Sequence, residues 1–374
     1  MNRAHKIRLQ VTPQQAHFLL ETAGAARFTY NWALERWRQL YQAYREDASL
    51  PKPSYVTLSA LWTQERPEWA LNYSRASQDR AIRQVESAYK AFWRGSAKYP
   101  KYKKRDSRQS FYVPNDHAYI RGNYIKLPKL PRIKLAEPLR FQGKVLSYTV
   151  SCYANKWYVS VQLQMQDAPR PCTNPNSTVG IDVGIKHIAV ASDGTLCEAP
   201  ASLKQLDLKL RRAQRALSRS QRNSNNYKKK LLKKQQIQQR IDNVRQDVTH
   251  KFTSTIAKNH GVVVVEDLDL KEMMQKAQHK SLRRSLAVSM MGMILWQLSY
   301  KANIIRKADR YFPSTKRCSK CGHVKDTIAL SERTYVCEHC GAVIDRDINA
   351  AINLSGWVTP NVPVERVARK RSVR

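Results

Sequence analysis

Acidic residues are scarce in this chain: Asp and Glu number 29 against 66 Lys and Arg, for a formal net charge of +37. Such an imbalance costs self-repulsion in a compact state. It is sustained where the partner is a polyanion, with nucleic acid ahead of an anionic membrane surface. Long apolar runs are missing too. The longest clean aliphatic run, Val262 to Val265, is far too short to span a bilayer, and Met1 to Gln10 contains no apolar signal core. A soluble intracellular protein with no membrane partner is the expectation. There is no Gly-x-x-x-x-Gly-Lys-Ser/Thr loop, no Gly-x-Ser-x-Gly elbow and no His-Glu-x-x-His, so nothing supports a helicase or ATPase. No internal repeat with a period of about 20 to 50 residues is evident. Cysteine is sparse and odd in number, seven in all, which fits a reducing compartment better than a disulfide framework.

What is present suffices for folding. With 374 residues the chain has room for two or three domains of about 150 residues each. Hydrophobic content of 42%, with eight Trp and eighteen Tyr, can bury a core. Lys6 to Val11 reads as a strand, and Thr12-Pro13 as an N-cap and first-turn proline. Phe28, Trp32, Trp37, Tyr41 and Tyr44 then recur at helical spacing, as a buried seam does. A second helix spans about Ser74 to Trp93 and opens on a polar turn holding Ser77 and Gln78. Pro100 to Arg108 is a basic, aromatic-punctuated linker. From Ser110 to about Met165 the pattern becomes strand-like, with Trp157, Val159, Val161 and Leu163 alternating against polar neighbours and Asn155-Lys156 as a hairpin turn. A small antiparallel β-barrel, carrying the helices as an insertion after its first strand, is expected there.

Beyond the linker Pro171–Ser177, a strand at Val179–Gly184 and a hairpin turn at Ala191–Gly194 precede two helices split near Asn223 to Asn226. Residues 201–240 hold thirteen Lys or Arg and one acid, Asp207. That one-sidedness points to nucleic-acid contact rather than a merely solvated face. Gly261–Glu266 reads as a strand, followed by a helix through Leu295 and Tyr300 and a strand near Ile304–Tyr311. After Trp357 the chain turns Pro- and Arg-rich, and a disordered tail is expected.

Cys318-x-x-Cys321-Gly and Cys337-x-x-Cys340-Gly are separated by fifteen residues. Each pair can point two thiolates into half a tetrahedron, and the glycine after it lets the chain turn back. The spacing predicts a zinc ribbon with one structural Zn²⁺, its shell closed by the four thiolates. Three acids stand where few others do. Asp182 lies among apolar residues of a strand, Glu266 ends the four-valine strand, and Asp347 falls at a helix start with Ala350 and Ala351 leaving room beside it. A buried lone carboxylate is costly unless paired or metal-bound, and ligand sites of α/β sheets gather at strand carboxyl ends. In a chain this basic, the three suggest carboxylates holding Mg²⁺, two ions about 4 Å apart, against a phosphodiester. The order strand, hairpin, helix, strand, helix fits a ribonuclease-H-like fold.

Gly180-Ile-Asp-Val-Gly184, Val265-Glu-Asp-Leu268, Tyr300-Lys-Ala302, Phe312-Pro-Ser-Thr-Lys316, the four cysteines and Asp345-Arg-Asp-Ile-Asn-Ala-Ala351 occur in an order that resembles TnpB, the RNA-guided nuclease family of bacterial and archaeal insertion sequences. The motif match covers residues 178–356; Tyr99-Pro-Lys-Tyr-Lys-Lys104 and Ser110-Phe111 extend it more loosely. The resemblance implies an α+β multidomain protein. Residues 1–11 and 110–172 correspond to the wedge barrel and 12–109 to a helical recognition domain. Residues 173–312 and 343–357 correspond to a ribonuclease-H-like (RuvC) nuclease domain, with 313–342 as the zinc-ribbon insert and 358–374 as the tail. Asp182, Glu266 and Asp347 match the catalytic acids, Asp345 being the weaker match for the third.

The implied activity is Mg²⁺-dependent cleavage of double-stranded DNA beside a short adjacent motif, directed by a guide RNA encoded by the transposon. No protein oligomer is required. A cytoplasmic prokaryotic location, nucleoid-associated when bound to DNA, is implied. Lys103, Lys104, Arg105, Lys228, Lys229, Lys230, Lys233 and Lys234 are candidates for RNA or heteroduplex backbone, and Ser77 and Gln78 for the adjacent motif. Two alternatives stay open: a cleavage-inactive RNA-guided regulator, and a DNA strand-transfer transposase on the same fold.

Overall fold

The computed structural model describes residues 2–105, 109–166, 171–185, 187–329 and 332–357. The expected disordered tail, 358–374, and part of the basic linker, 106–108, lie outside the described residues. The chain divides into two units, residues 1–167 and 168–374.

The first unit begins with strand β1 (Asn2–Gln10), whose period-two pattern buries His5, Ile7 and Leu9 and turns the intervening side chains outward. Thr12 starts helix α1 (Pro13–Glu46) through a capping box: its hydroxyl accepts from the Gln15 N–H, and the Gln15 side chain accepts from the Thr12 N–H. Helices α2 (Tyr55–Glu65) and α3 (Arg75–Trp93) close on α1 around Trp37, Leu58, Trp62, Ile82 and Val85. The aromatic seam of α1 points inward only in part. Trp37 is buried, whereas Phe28 is 43% exposed and meets Trp69 edge-on.

Strands β2 (Ser110–Pro114), β3 (Tyr119–Arg121), β4 (Tyr124–Lys126), β5 (Ile133–Leu135), β6 (Lys144–Tyr153) and β7 (Lys156–Gln164) join β1 in an antiparallel sheet. Its order is β2-β6-β7-β1-β5-β4-β3. The first strand of the chain is therefore interior, and the three helices fall between it and β2 in sequence. Phe111, Ile125, Leu135, Tyr148 and Val159, drawn from both halves of the order, share one apolar core with Leu19, Ala23 and Ala26 of α1. No ladder joins the end strands β2 and β3 among the described residues. The β6–β7 turn is centred on Ala154 and Asn155, with φ of 51° and 60°, one residue before the dipeptide that composition suggested.

The second unit contains β8 (Asn174–Val183), β9 (Ala189–Ala191), β10 (Leu196–Cys197), α4 (Ala201–Ser218), α5 (Asn225–Asn259) and β11 (His260–Glu266). Where one helix was expected after Glu266 there are three: α6 (Leu270–Lys276), α7 (Lys280–Val288) and α8 (Met291–Lys301). The Asp269 carboxylate caps α6, while α8 contributes a buried stripe of Met291, Ile294 and Leu298. Strands β12 (Ile304–Ala308), β13 (Thr334–Val336) and β14 (Val343–Asp345) and helix α9 (Arg346–Ser355) complete it.

Its main sheet has the order β10-β9-β8-β11-β12, with β8, β11 and β12 parallel and the β9–β10 hairpin antiparallel. Alternation decides which helix covers which face. Val179, Ile181, Val263 and Val265 pack with Phe252 and Ile256 of α5 and Ile294 and Leu298 of α8. Val262, Val264 and Ala308 pack with Leu354 of α9 on the opposite face. No helix among the described residues is long and apolar enough to cross a membrane.

Candidate active site and metal centre

The register of the parallel strands brings the first two acids together. Val265 pairs with Ile181, and one residue further along each strand stand Glu266 and Asp182. Ile181 and Val265 face α5 and α8, so the next residue on each strand faces α9. Asp347 lies in the first turn of α9, where its side chain is 14% exposed and pairs with the Arg346 guanidinium at 3.3 Å. The neighbouring acid is otherwise engaged: Asp345 is the N-cap, and its carboxylate accepts the N–H groups of Asp347 and Ile348. That division of labour favours Asp347 as the third member.

Gly180 makes the convergence possible. A Cβ there would fall 2.0 Å from the Ala351 carbonyl oxygen and 2.4 Å from the Ser355 nitrogen. Only a glycine lets α9 lie this close on β8. Ala350 and Ala351 are themselves fully buried. Their small side chains sit in the packed face of α9 that this close approach requires.

The electrostatics record the crowding. Burial first, and then the charges of Glu266 and Asp347, push the Asp182 carboxyl up to about 7, against a smaller opposing pull from Arg346. Glu266 also accepts a hydrogen bond from the Ser314 hydroxyl. Two carboxylates at neighbouring strand ends and a third on α9, with Asp182 disfavoured as an anion by burial and by the other two, are a donor set that suits a hard divalent cation. Their oxygens do not all lie within 4.8 Å of one another; among the described residues only the four cysteines meet that spacing. A cation here would complete its shell with water and substrate oxygens.

The cysteine cluster is tight. The Sγ atoms of Cys318 and Cys340 are 3.7 Å apart and those of Cys321 and Cys337 are 3.6 Å apart. A tetrahedral zinc with Zn–S bonds of about 2.3 Å requires sulfur–sulfur edges of about 3.8 Å. The donor set and its spacing are those of a zinc site. Each knuckle is built alike: the N–H of Gly322 donates to the Cys318 carbonyl, and the N–H of Gly341 to the Cys337 carbonyl. Both glycines have positive φ, 80° and 66°. Although burial opposes it, the backbone N–H groups of Cys321 and Lys320 hold the Cys318 thiol down at about 6. His323 and His339 stack on each other with centroids 5.8 Å apart, outside the tetrad.

The nucleic-acid candidates divide. Lys104, Arg105, Lys228, Lys229 and Lys233 are exposed, while Lys230 and Lys234 are half-buried, Lys230 donating to Ser220 Oγ at 2.9 Å. Lys103 turns inward. Its Nζ donates to Gln84 Oε1 at 2.7 Å and lies 3.9 Å from the Tyr30 ring centre, and burial lowers its pKa to about 8.

Ser77 and Gln78 correct the sequence reading, because both are buried. Ser77 Oγ donates to the Tyr112 carbonyl, and Gln78 bridges the Trp62 indole N–H and the Ala70 carbonyl. They fasten α3 to its neighbours and have no free face for a duplex. Sequence reasoning missed the cavity beside them, about 320 Å³, lined among others by Arg27, Arg80, Gln84, Lys103, Tyr112 and Thr149. Arg80 and Gln84, one helical turn apart on α3, were the available signal.

The fold and site define a two-unit α/β protein with clustered carboxylates, a four-cysteine centre and a strongly basic surface. Family models match at residues 159–277, described as "Probable transposase", at 292–354, described as "Cas12f1-like, TNB domain", and at 1–46, described as a helix-turn-helix domain. Over that last span the structure has strand β1 and a single 34-residue helix. The chain is 30% identical to "Putative RNA-guided DNA endonuclease InsQ" of Escherichia coli (strain K12), over 95% of this chain and 92% of that one. A protein of the same description from Streptomyces pristinaespiralis is 31% identical, over 95% and 89%. The fold resembles that of Cas12f1 in a complex with sgRNA and target DNA, at TM-score 0.54 and 15% identity, covering 92% of this chain and 83% of that one. The chain belongs to the TnpB (OrfB/IS605) family.

Proposed function

We propose that this protein is an RNA-guided DNA endonuclease associated with a transposon, which hydrolyses double-stranded DNA beside a short adjacent motif. The observation that carries the reading is Asp182 and Glu266 side by side at the ends of β8 and β11, with Asp347 of α9 near enough that burial and both neighbouring charges push the Asp182 carboxyl up. The sheet order and the helices on both faces support a ribonuclease-H-like (RuvC) nuclease domain, residues 173–312 and 343–357, with 313–342 as a zinc-ribbon insert. The seven-stranded antiparallel sheet of the first unit, with its single apolar core, supports the wedge barrel, 1–11 and 110–172, and the helices within 12–109 the recognition domain.

Two bound Mg²⁺ ions would activate a water and neutralise charge on the scissile phosphate. Asp182, once deprotonated, would be one ligand, Asp347 would supply a second carboxylate from a capped helix start, and Glu266 a third, held by Ser314. The four cysteines would hold a structural Zn²⁺. The exposed lysines of α5, with Lys104 and Arg105, would neutralise a transposon-encoded guide RNA and its heteroduplex, and the basic cavity beside α3 would meet the adjacent motif. A monomer suffices for all of these roles, and a prokaryotic cytoplasm is the setting they imply. The test is purified ribonucleoprotein with Mg²⁺ and a guide-matched duplex: cleavage that needs the matching guide supports the reading, and tight binding without cleavage supports the regulator instead.

A further inference from the structure

The turn between β12 and the first cysteine knuckle touches both metal-binding centres. At one end Ser314, 2% exposed, directs its hydroxyl proton to the Glu266 carboxylate. At the other end stands Cys318. Between them the turn is gripped by two asparagines of α9, four residues apart and so on one helix face. Asn353, 8% exposed, donates to the Ser314 carbonyl at 2.8 Å and the Arg317 carbonyl at 2.6 Å. Asn349, with no exposure, donates to the Arg317 carbonyl at 2.7 Å and accepts from the Ser319 N–H at 2.9 Å.

Buried amides bonded in this way hold the turn firmly, because leaving any one of these partners unmade is costly. The same helix begins with Asp347. The second acid, the third acid and the root of the four-cysteine cluster are therefore tied through one hydrogen-bonded clamp.

We infer that Ser314 is a positioning residue for Glu266, and that Asn349 and Asn353 carry its position from the four-cysteine cluster, so that an ordered knuckle is a condition for divalent-cation binding at the carboxylates. The inference rests on the proposed metal-holding role of Glu266. A serine hydroxyl has one proton to give, and here it goes to a carboxylate oxygen of Glu266 and restrains its rotation. Groups that orient a metal ligand in this manner are worth about ten- to a hundredfold in metal affinity.

The experiment uses the full chain, zinc-replete and held RNA-free in high salt so that RNA phosphates do not compete for the cation. Mn²⁺ affinity is measured by calorimetric titration, alongside zinc content and melting temperature. Ser314→Ala is expected to weaken Mn²⁺ binding about tenfold with zinc content and melting temperature unchanged. Asn353→Ala is expected to weaken it in the same direction, and Cys340→Ser to lose zinc and Mn²⁺ affinity together. Wild-type Mn²⁺ affinity in Ser314→Ala overturns the positioning role. Wild-type affinity in a zinc-free Cys340→Ser protein overturns the coupling. Asp182→Asn separates the two levels. If it weakens Mn²⁺ binding and Ser314→Ala does not, only this inference fails; if neither does, the carboxylate site itself fails.

Discussion

Replacing Asp182 by Asn should stabilise the metal-free protein, and the gain should grow with pH. Its carboxyl is raised from 3.8 to about 7 by burial and by Glu266 and Asp347. Between those two values the folded state holds a proton that the unfolded state has released, so stability falls as pH rises through the interval. Below about 3.8 both states are protonated and the carboxyl contributes nothing; above about 7 the full penalty is felt. The shift corresponds to about 4 kcal/mol at pH 8 and about 2 kcal/mol at pH 5. Because Asp182 is only partly buried, about half of each figure is the working expectation.

Asparagine keeps the shape and removes the charge. In chelator at pH 8 the transition of the second unit should rise by about 4–8 °C in Asp182→Asn, and by clearly less at pH 5. Mg²⁺ should narrow the gap by stabilising wild type alone. Differential scanning fluorimetry across pH reads all of this. An unchanged or lowered melting temperature at pH 8 would refute the claim that burial and the two neighbouring carboxylates disfavour the Asp182 anion.

Gly180→Ala should destabilise the second unit by at least about 3 kcal/mol and abolish cleavage, since its Cβ would strike the backbone of α9; chemical denaturation of the variant checks this. Gln78→Ala should cost about 1–3 kcal/mol by stranding the Trp62 indole and Ala70 carbonyl, with no effect on the salt dependence of RNA binding. Removing Lys228, Lys229 and Lys233 together should instead lower the slope of log affinity against log salt by about 2–3, measured by filter binding. Elemental analysis should find one zinc per chain, lost on Cys337→Ser.

Elements whose cause is local were legible from the amino-acid order. Thr12-Pro13 marked the start of α1, the alternation from Trp157 to Leu163 marked β7, and the paired cysteines marked their cluster at its true register. Asp182, Glu266 and Asp347 could be singled out only together: an acid ending a strand is as readily an ordinary solvated terminus, but three such acids in so basic a chain point to a shared cation. Features set by packing were not legible. Ser77 and Gln78 looked like exposed turn residues at a helix start, and only the arrival of Trp62, Ala70 and Tyr112 from elsewhere buries them. Lys103 read as one of a basic run until Tyr30 and Gln84 drew it inward. The two asparagines of α9 carried no signal alone, because their partners lie some thirty residues away.

The central claim is that the three carboxylates cut DNA under RNA guidance. The direct measurement is cleavage of a guide-matched duplex by the reconstituted ribonucleoprotein in Mg²⁺, compared among wild type, Asp182→Asn, Glu266→Gln and Asp347→Asn. The account predicts guide-dependent cleavage by wild type and none by any variant, with RNA and DNA binding retained in all four. Full cutting by Asp182→Asn, or binding by wild type with no cutting, would contradict it.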